Sequence, residues 1–277
     1  MASHTESLDW RAVFAFGLAS LLTIVLGAVV MAQAGIPLGI WVRNPIAWLL
    51  AGVVALLLAS RGWLGAALAP VAPIIIPLSL IGTAQEGVHR WLDIGPVQLN
   101  AATLILPAAI AAFPRTPATV AIPTFAIIAA LLAWQPDLSQ LAGFALASLI
   151  LFTRRFGLKG ALGALILSIA ALALCLYRPD PLLPVAHVEG IFALASSLSP
   201  GIGIAMAVSL AAAALSPLLL WKSPAALALA AYFSATALAV LFGAYPAPLA
   251  GYGVSFVIGW QLGFACLSVR GPARRIP

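Results

Sequence analysis

Residues 10–32 read WRAVFAFGLASLLTIVLGAVVMA, a run in which Arg11 is the only charge. A stretch this long and apolar meets the need of a helix for roughly 20 residues to cross about 30 Å of hydrocarbon. Nine further apolar runs follow, at residues 45–60, 63–82, 97–113, 118–134, 138–153, 158–177, 189–221, 225–242 and 249–269. The pattern predicts an all-α, polytopic integral membrane bundle of ten transmembrane helices. The eighth run is too long for one straight span, and Ser199-Pro200 predicts a short entry helix before it on the outer side. Composition agrees, with 64% hydrophobic and 7% charged residues, where a soluble domain carries about 25% charged. So few charges cannot cover a water-soluble globule. Ten spans use about 200 of the 277 residues, which leaves short loops and no separate soluble domain. The expected division is a polar cytoplasmic tail at 1–9, a membrane domain at 10–270 and a basic cytoplasmic tail at 271–277. The polar start, with Glu6 and Asp9, has no basic region ahead of the apolar run and reads as no removable signal peptide.

The net charge of +6 reports orientation and excludes nucleic acid as the partner. Arg11, Arg61, Arg115, Arg154, Arg155, Lys159, Lys222, Arg270, Arg274 and Arg275 fall on one side of the span pattern. Only Arg43, Arg90 and Arg178 fall on the other. The basic side faces the cytoplasm by the positive-inside rule, so both termini are expected there. Cys175 and Cys266 lie within apolar runs and read as packing residues. Pro70, Pro73, Pro77, Pro107, Pro123 and Pro217 predict bent helices. Gly157, Gly160 and Gly163 in the seventh span, and Gly259 and Gly263 in the tenth, predict close helix approach.

Ionisable groups at membrane depth are costly and tend to mark function. Here those outside the cytoplasmic loops form three outer clusters. Gln85 to Pro96 (QEGVHRWLDIGP) precedes the fourth span, Gln135-Pro136-Asp137-Leu138 the sixth, and Arg178-Pro179-Asp180 with His187-Val188-Glu189 the eighth. An uncharged cluster, Pro246 to Ser255, leads into the tenth span.

These clusters carry a resemblance. His89-Arg90-Trp91-Leu92-Asp93-Ile94-Gly95 resembles the "RWLDLG" segment of the SEDS family (shape, elongation, division and sporulation), the FtsW/RodA-like membrane glycosyltransferases. Gln135-Pro136-Asp137-Leu138 resembles its "QPDLGT" segment, and His187-Val188-Glu189-Gly190-Ile191-Phe192-Ala193 its "HTDFIFA". Pro248-Leu249-Ala250-Gly251-Tyr252-Gly253-Val254-Ser255 is similar to "PFVSYGGS". The four occur in the family's order and between the same spans, from about the third span to the end; the first two spans match in topology only. Departures accompany them. Asn100-Ala101-Ala102-Thr103 stand where the family has "QPSE" and then a lysine. Ser196-Ser197-Leu198 replace "GEE", the outer loop shrinks to about Arg178–Val188, and Glu189 occupies the family's aspartate position.

The resemblance implies a glycosyltransferase acting at the outer leaflet of a bacterial inner membrane on a polyprenyl-pyrophosphate-linked glycan precursor of cell-wall type. It implies Glu189 as general base with His187 in support, and Arg90 as a phosphate clamp. Trp91, Asp93, Asp137 and Tyr252 complete the expected substrate contacts. Implied partners are membrane lipids, the lipid-linked glycan, and a membrane protein such as a single-span transpeptidase. No organic cofactor or metal ligand set is read, while a divalent cation is compatible with the family's activity.

Each residue has a plainer alternative. Glu189 pairs with Arg178 or Arg90, Arg90 pairs with Asp93 or Glu86, and Asp137 caps the sixth helix. His187 serves as a hydrogen-bonding loop residue, and Tyr252 packs a broken helix start. The corresponding alternative function is a catalytically inactive SEDS-like scaffold or lipid-carrier-binding subunit of a membrane complex. A transporter ranks behind both, because the outer charges do not continue across the bilayer.

Overall fold

The computed structural model describes residues 8–60 and 67–268. Arg61, residues 63–66 of the third run, Arg270, Arg274, Arg275 and nearly all of both expected tails lie outside the described residues. The elements are α1 (Trp10–Gln33), α2 (Leu38–Trp41), α3 (Arg43–Ser60), α4 (Leu68–Leu78), β1 (Trp91–Ile94), β2 (Val97–Asn100), α5 (Ala101–Ala112), α6 (Ala118–Trp134) and α7 (Leu138–Tyr177). After them come α8 (Ile191–Leu198), α9 (Pro200–Leu215), α10 (Pro224–Leu238) and α11 (Val254–Ser268).

Among the described residues these make ten apolar passes, because α7 is two helices joined at Gly157, whose φ of 63° and ψ of −150° are non-helical. Five stretches are long and apolar enough to cross a membrane: 10–33, 38–60, 138–177, 200–220 and 224–241. Of the shorter passes, α5 and α11 lie inside the bundle, with all but one of the α5 residues buried, while α4 and α6 each keep an exposed apolar face. Leu22, Leu50, Ile166, Ile204 and Val208 are exposed on the outside. An apolar belt of this kind is stable against lipid and not against water. The chain is a multi-pass helical membrane protein.

Helix α11 packs on α5 and α3, α7 on α6 and α10, and α1 on α9. A stacked aromatic ladder ties three of them, with Phe16 and Phe264 at 4.4 Å and Phe233 and Trp260 at 3.9 Å between ring centroids. Gly259 and Gly263 let α11 lie directly on α5. A Cβ at Gly259 would stand 2.1 Å from the Thr103 carbonyl oxygen, and one at Gly263 2.5 Å from Pro107. Cys175 and Cys266 are both buried, as packing residues are.

Three readings need correction. The fourth run does not begin as helix at Val97. Residues 91–94 and 97–100 form an antiparallel hairpin with Trp91 opposite Asn100. Gly95 at φ 57° and the fixed φ of Pro96 supply its two-residue turn. The tenth run begins as a turn at 249–253, and helix starts at Val254. Finally, Gly163 faces open space, with nothing within 4 Å of a Cβ, so the glycines of the seventh span do not form one packing face. The expected break before Pro200 is present, with Ser199 extended at φ −165° between α8 and α9.

The described charges sort to two ends of the bundle. Arg155 donates to the Phe113 and Thr116 carbonyls, and Asp9, Arg115 and Lys222 share one recess at that end. Arg43, Arg90 and Arg178 stand at the other. Gly259→Val is expected to lower stability by roughly 2–3 kcal/mol through overpacking, whereas Gly163→Ala leaves it unchanged; thermal unfolding of the two variants in detergent checks both.

Candidate functional site

Where three outer loops meet, Arg90 is 8% exposed and uses all sides of its fork. Nε donates to the Gln135 carbonyl at 2.7 Å and Nη2 to the Pro136 carbonyl at 2.6 Å. Nη1 forms an ion pair with Asp180 at 2.7 Å. The guanidinium thus joins the α4–α5, α6–α7 and α7–α8 connections. This corrects one expectation, since Arg90 pairs with neither Asp93 nor Glu86.

Asp137 is buried with its needs met. It caps α7 by accepting from the Gln140 amide, and it accepts from Ser139 Oγ at 3.3 Å and Asn100 Nδ2 at 3.2 Å. Asn100 in turn caps α5, accepting from the Thr103 amide at 2.9 Å. Its own amide donates to Ser255 Oγ at 2.7 Å, so the hairpin end is tied to the start of α11. Asp93 accepts from the Thr83 amide and from Gln98 Nε2, each at 3.0 Å. Those donors, the Thr83 amide foremost, hold its carboxyl below the ordinary value.

The other wall is the loop before α8. Glu189 is half-buried, and its Oε2 accepts from the Val185 amide at 2.7 Å. Burial outweighs that bond and raises its pKa above the ordinary value. It contacts neither Arg178 nor Arg90 as an ion pair, since Arg178 stacks over Trp134 at 4.2 Å and Arg90 holds Asp180. Burial lowers the pKa of His187 and favours neutral imidazole. The His187 carbonyl accepts from the Tyr252 amide at 2.8 Å, and the Val188 carbonyl accepts from the Ala247 amide at 3.2 Å. These bonds dock the α7–α8 loop onto the 247–252 turn, where buried Leu249 sits at φ 62°, a strained setting for a side chain with a Cβ.

Arg90, Trp91, Asp93, Asp137, His187, Glu189 and Tyr252 all line one cavity of about 680 Å³. Arg43 lines it too and was missed from the sequence. Its Nη1 donates to Tyr252 Oη at 2.9 Å and to the Pro96 carbonyl at 3.2 Å, and its guanidinium stands 5.9 Å from the Tyr252 ring. Nε and Nη2 carry no bond, so this arginine keeps donors at two nitrogens for a ligand, whereas all three nitrogens of Arg90 are engaged. Asn44 beside it accepts from the Gly253 amide and donates to the Gly251 carbonyl, fixing the turn that carries Tyr252. The available signal was the Arg43-Asn44 pair at the mouth of an apolar run.

Of the five carboxylates at this end, Asp93, Asp137 and Asp180 are each held by other donors, and among the described residues no group of three His, Cys, Asp or Glu side chains is placed to hold a metal.

No family model matches the chain, and no curated protein matches it by sequence. Solved structures do match by fold. The crystal structure of the rod shape determining protein RodA of Thermus thermophilus aligns with a TM-score of 0.64 at 21% identity, over 95% of this chain and 96% of that one. An aspartate-to-alanine mutant of the same protein aligns at 0.63 and 22% identity, over 95% and 96%. A structure described as the structural coordination of polymerization and crosslinking by a peptidoglycan synthase complex aligns at 0.62 and 20% identity, over 94% and 97%. Over nearly its whole length, the chain has the fold of RodA.

Proposed function

We propose that the chain is a divergent SEDS-like glycosyltransferase of a bacterial inner membrane, acting at the outer leaflet on a polyprenyl-pyrophosphate-linked glycan precursor. Its basic end and both termini face the cytoplasm, and the ten-pass bundle at 10–270 is the working unit. The observation that carries this reading is one outer cavity in which four separated motifs, with Arg43 beside them, bring together a half-buried carboxylate, an imidazole whose pKa is lowered by burial and an arginine with unused donors. The likeness to RodA and to a peptidoglycan synthase complex supports the substrate class and a membrane protein partner.

In this reading Glu189 removes the proton from the acceptor sugar hydroxyl as that oxygen bonds to the anomeric carbon of the donor. The bond from that carbon to the pyrophosphate breaks, and the lipid pyrophosphate leaves with both bonding electrons. A half-buried carboxylate with a raised pKa suits a base better than a fully solvated one. Arg43 meets the charge developing on the leaving group, with Tyr252 holding its guanidinium. His187 supports the acceptor side, Trp91 and Asp93 shape the wall, and Asp137 and Arg90 hold the loops in place. A second reading, an inactive scaffold, rests on the engaged Glu189 Oε2 and on Asn100 standing where the family has its "QPSE" segment. It predicts no product at all.

The reading is tested with purified protein and a lipid-linked disaccharide, with polymer read on a gel. Glu189→Gln abolishes product, and Glu189→Asp, which moves the carboxylate by about an ångström, lowers the rate on the order of 100-fold. The Gln variant unfolds no earlier than wild type at neutral pH, because a raised folded pKa means that ionised Glu189 disfavours the fold there. The acid limb of the rate lies above 4.5, the ordinary glutamate value, with activity lost as pH falls through it. Arg43→Met raises KM with the fold intact, while Arg90→Met costs roughly 2–3 kcal/mol of stability by stranding two carbonyls and Asp180. Equal unfolding by the two arginine variants, with unchanged KM, sinks the assignment of Arg43.

A further inference from the structure

Behind the Gln135–Pro136 backbone that Arg90 grips lies a separate recess of about 210 Å³, walled by Glu86, His89, Trp134, Gln135, Arg178 and Pro179 among others. Three residues of its wall each carry a buried side-chain atom without a hydrogen-bond partner: His89 Nδ1, Gln135 Oε1 and Arg178 Nη1. Buried polar groups are normally paired, so three orphans around one cavity call for an occupant. Gln135 is 2% exposed, and its amide orientation is determined. Nε2 donates to Ser79 Oγ at 2.8 Å, because the Ser79 hydroxyl hydrogen is already directed to the Ile76 carbonyl at 2.7 Å and the His89 carbonyl at 3.1 Å. Gln135 Oε1 therefore requires a donor, whereas Arg178 Nη1 requires an acceptor.

We propose that this recess is a second outer-face subsite that takes one neutral sugar ring of a glycan. Phosphate offers mainly acceptors and carries negative charge, which Glu86 in the same wall repels. Hydroxyl and acetamido groups both donate and accept, and they answer all three orphans, with His89 adapting its tautomer. The prolines and Leu80 of the wall offer apolar surface to the C–H faces of a pyranose. A recess of this size admits one ring. Arg178 is already held flat on Trp134, so little side-chain freedom is lost on binding. The subsite stands apart from the main cavity and holds whether or not Glu189 is catalytic.

Full-length protein in nanodiscs, titrated calorimetrically with the β-1,4 dimer of N-acetylglucosamine, tests it. Wild type is expected to bind at millimolar concentration or better, with no displacement by inorganic phosphate. Arg178→Met weakens binding on the order of tenfold, the value of about one hydrogen bond. A diazirine derivative of the same dimer labels residues 86–89, 134–136 or 178–181 of wild type, which decides the matter even if the Arg178 variant does not fold. Absence of binding by wild type, displacement by phosphate, or labelling confined to the neighbourhood of Arg43 and Tyr252 overturns the proposal.

Discussion

Arg90 holds the outer face together. One guanidinium reaches two carbonyls beyond α6 and the Asp180 carboxylate beyond α7. Three connections that would otherwise move independently become a single rim. A planar fork of five donors can do this where a lysine ammonium cannot, because the three acceptors lie along different edges of one plane. The burial of Arg90 makes its bonds strong and also makes an unpaired partner costly. The same staple divides the outer face into two spaces, a large one in front with Glu189 and Arg43 and a small one behind with His89, Gln135 and Arg178.

A second set of bonds closes the rim on the opposite side. Asn44 holds the 251–253 turn, Tyr252 binds Arg43 and the His187 carbonyl, and Asn100 links Asp137 to Ser255. None of these side chains is charged except Arg43 and Asp137, yet together they set where Glu189 stands relative to the arginine. The helices beneath are apolar and rigid, with glycines at the α5–α11 contact and an aromatic ladder at the α1–α10–α11 contact. Polar precision at the end of the bundle thus rests on plain packing inside it.

Much of this was legible in the amino-acid order. The apolar runs and the one-sided placement of Arg11, Arg115, Lys222 and their like imply a ten-pass bundle, and the four outer clusters mark the residues that line the cavity. The hairpin at 91–100 was not seen, because Val97 and Leu99 merge with the apolar run of α5 and hide the alternation on either side of Gly95-Pro96. The true partner of Arg90 was hidden by distance along the chain, since Glu86 and Asp93 are its neighbours in sequence and Asp180 is far away. Arg43 carried no motif, and only the fold brings it to Tyr252. The difference between the two arginines, one engaged through all three guanidinium nitrogens and one through a single nitrogen, arises only in the fold, and no spacing rule encodes it.

An experimental structure of the protein with a polyprenyl-pyrophosphate-linked disaccharide bound tests the central claim most directly, namely that the front cavity holds the reacting glycan. Pyrophosphate density against Arg43, a sugar hydroxyl within hydrogen-bond reach of Glu189, and Arg90 still joined to Asp180 is the predicted result. Pyrophosphate bound to an Arg90 released from Asp180, or a ligand lodged away from the Glu189 carboxylate, would contradict it.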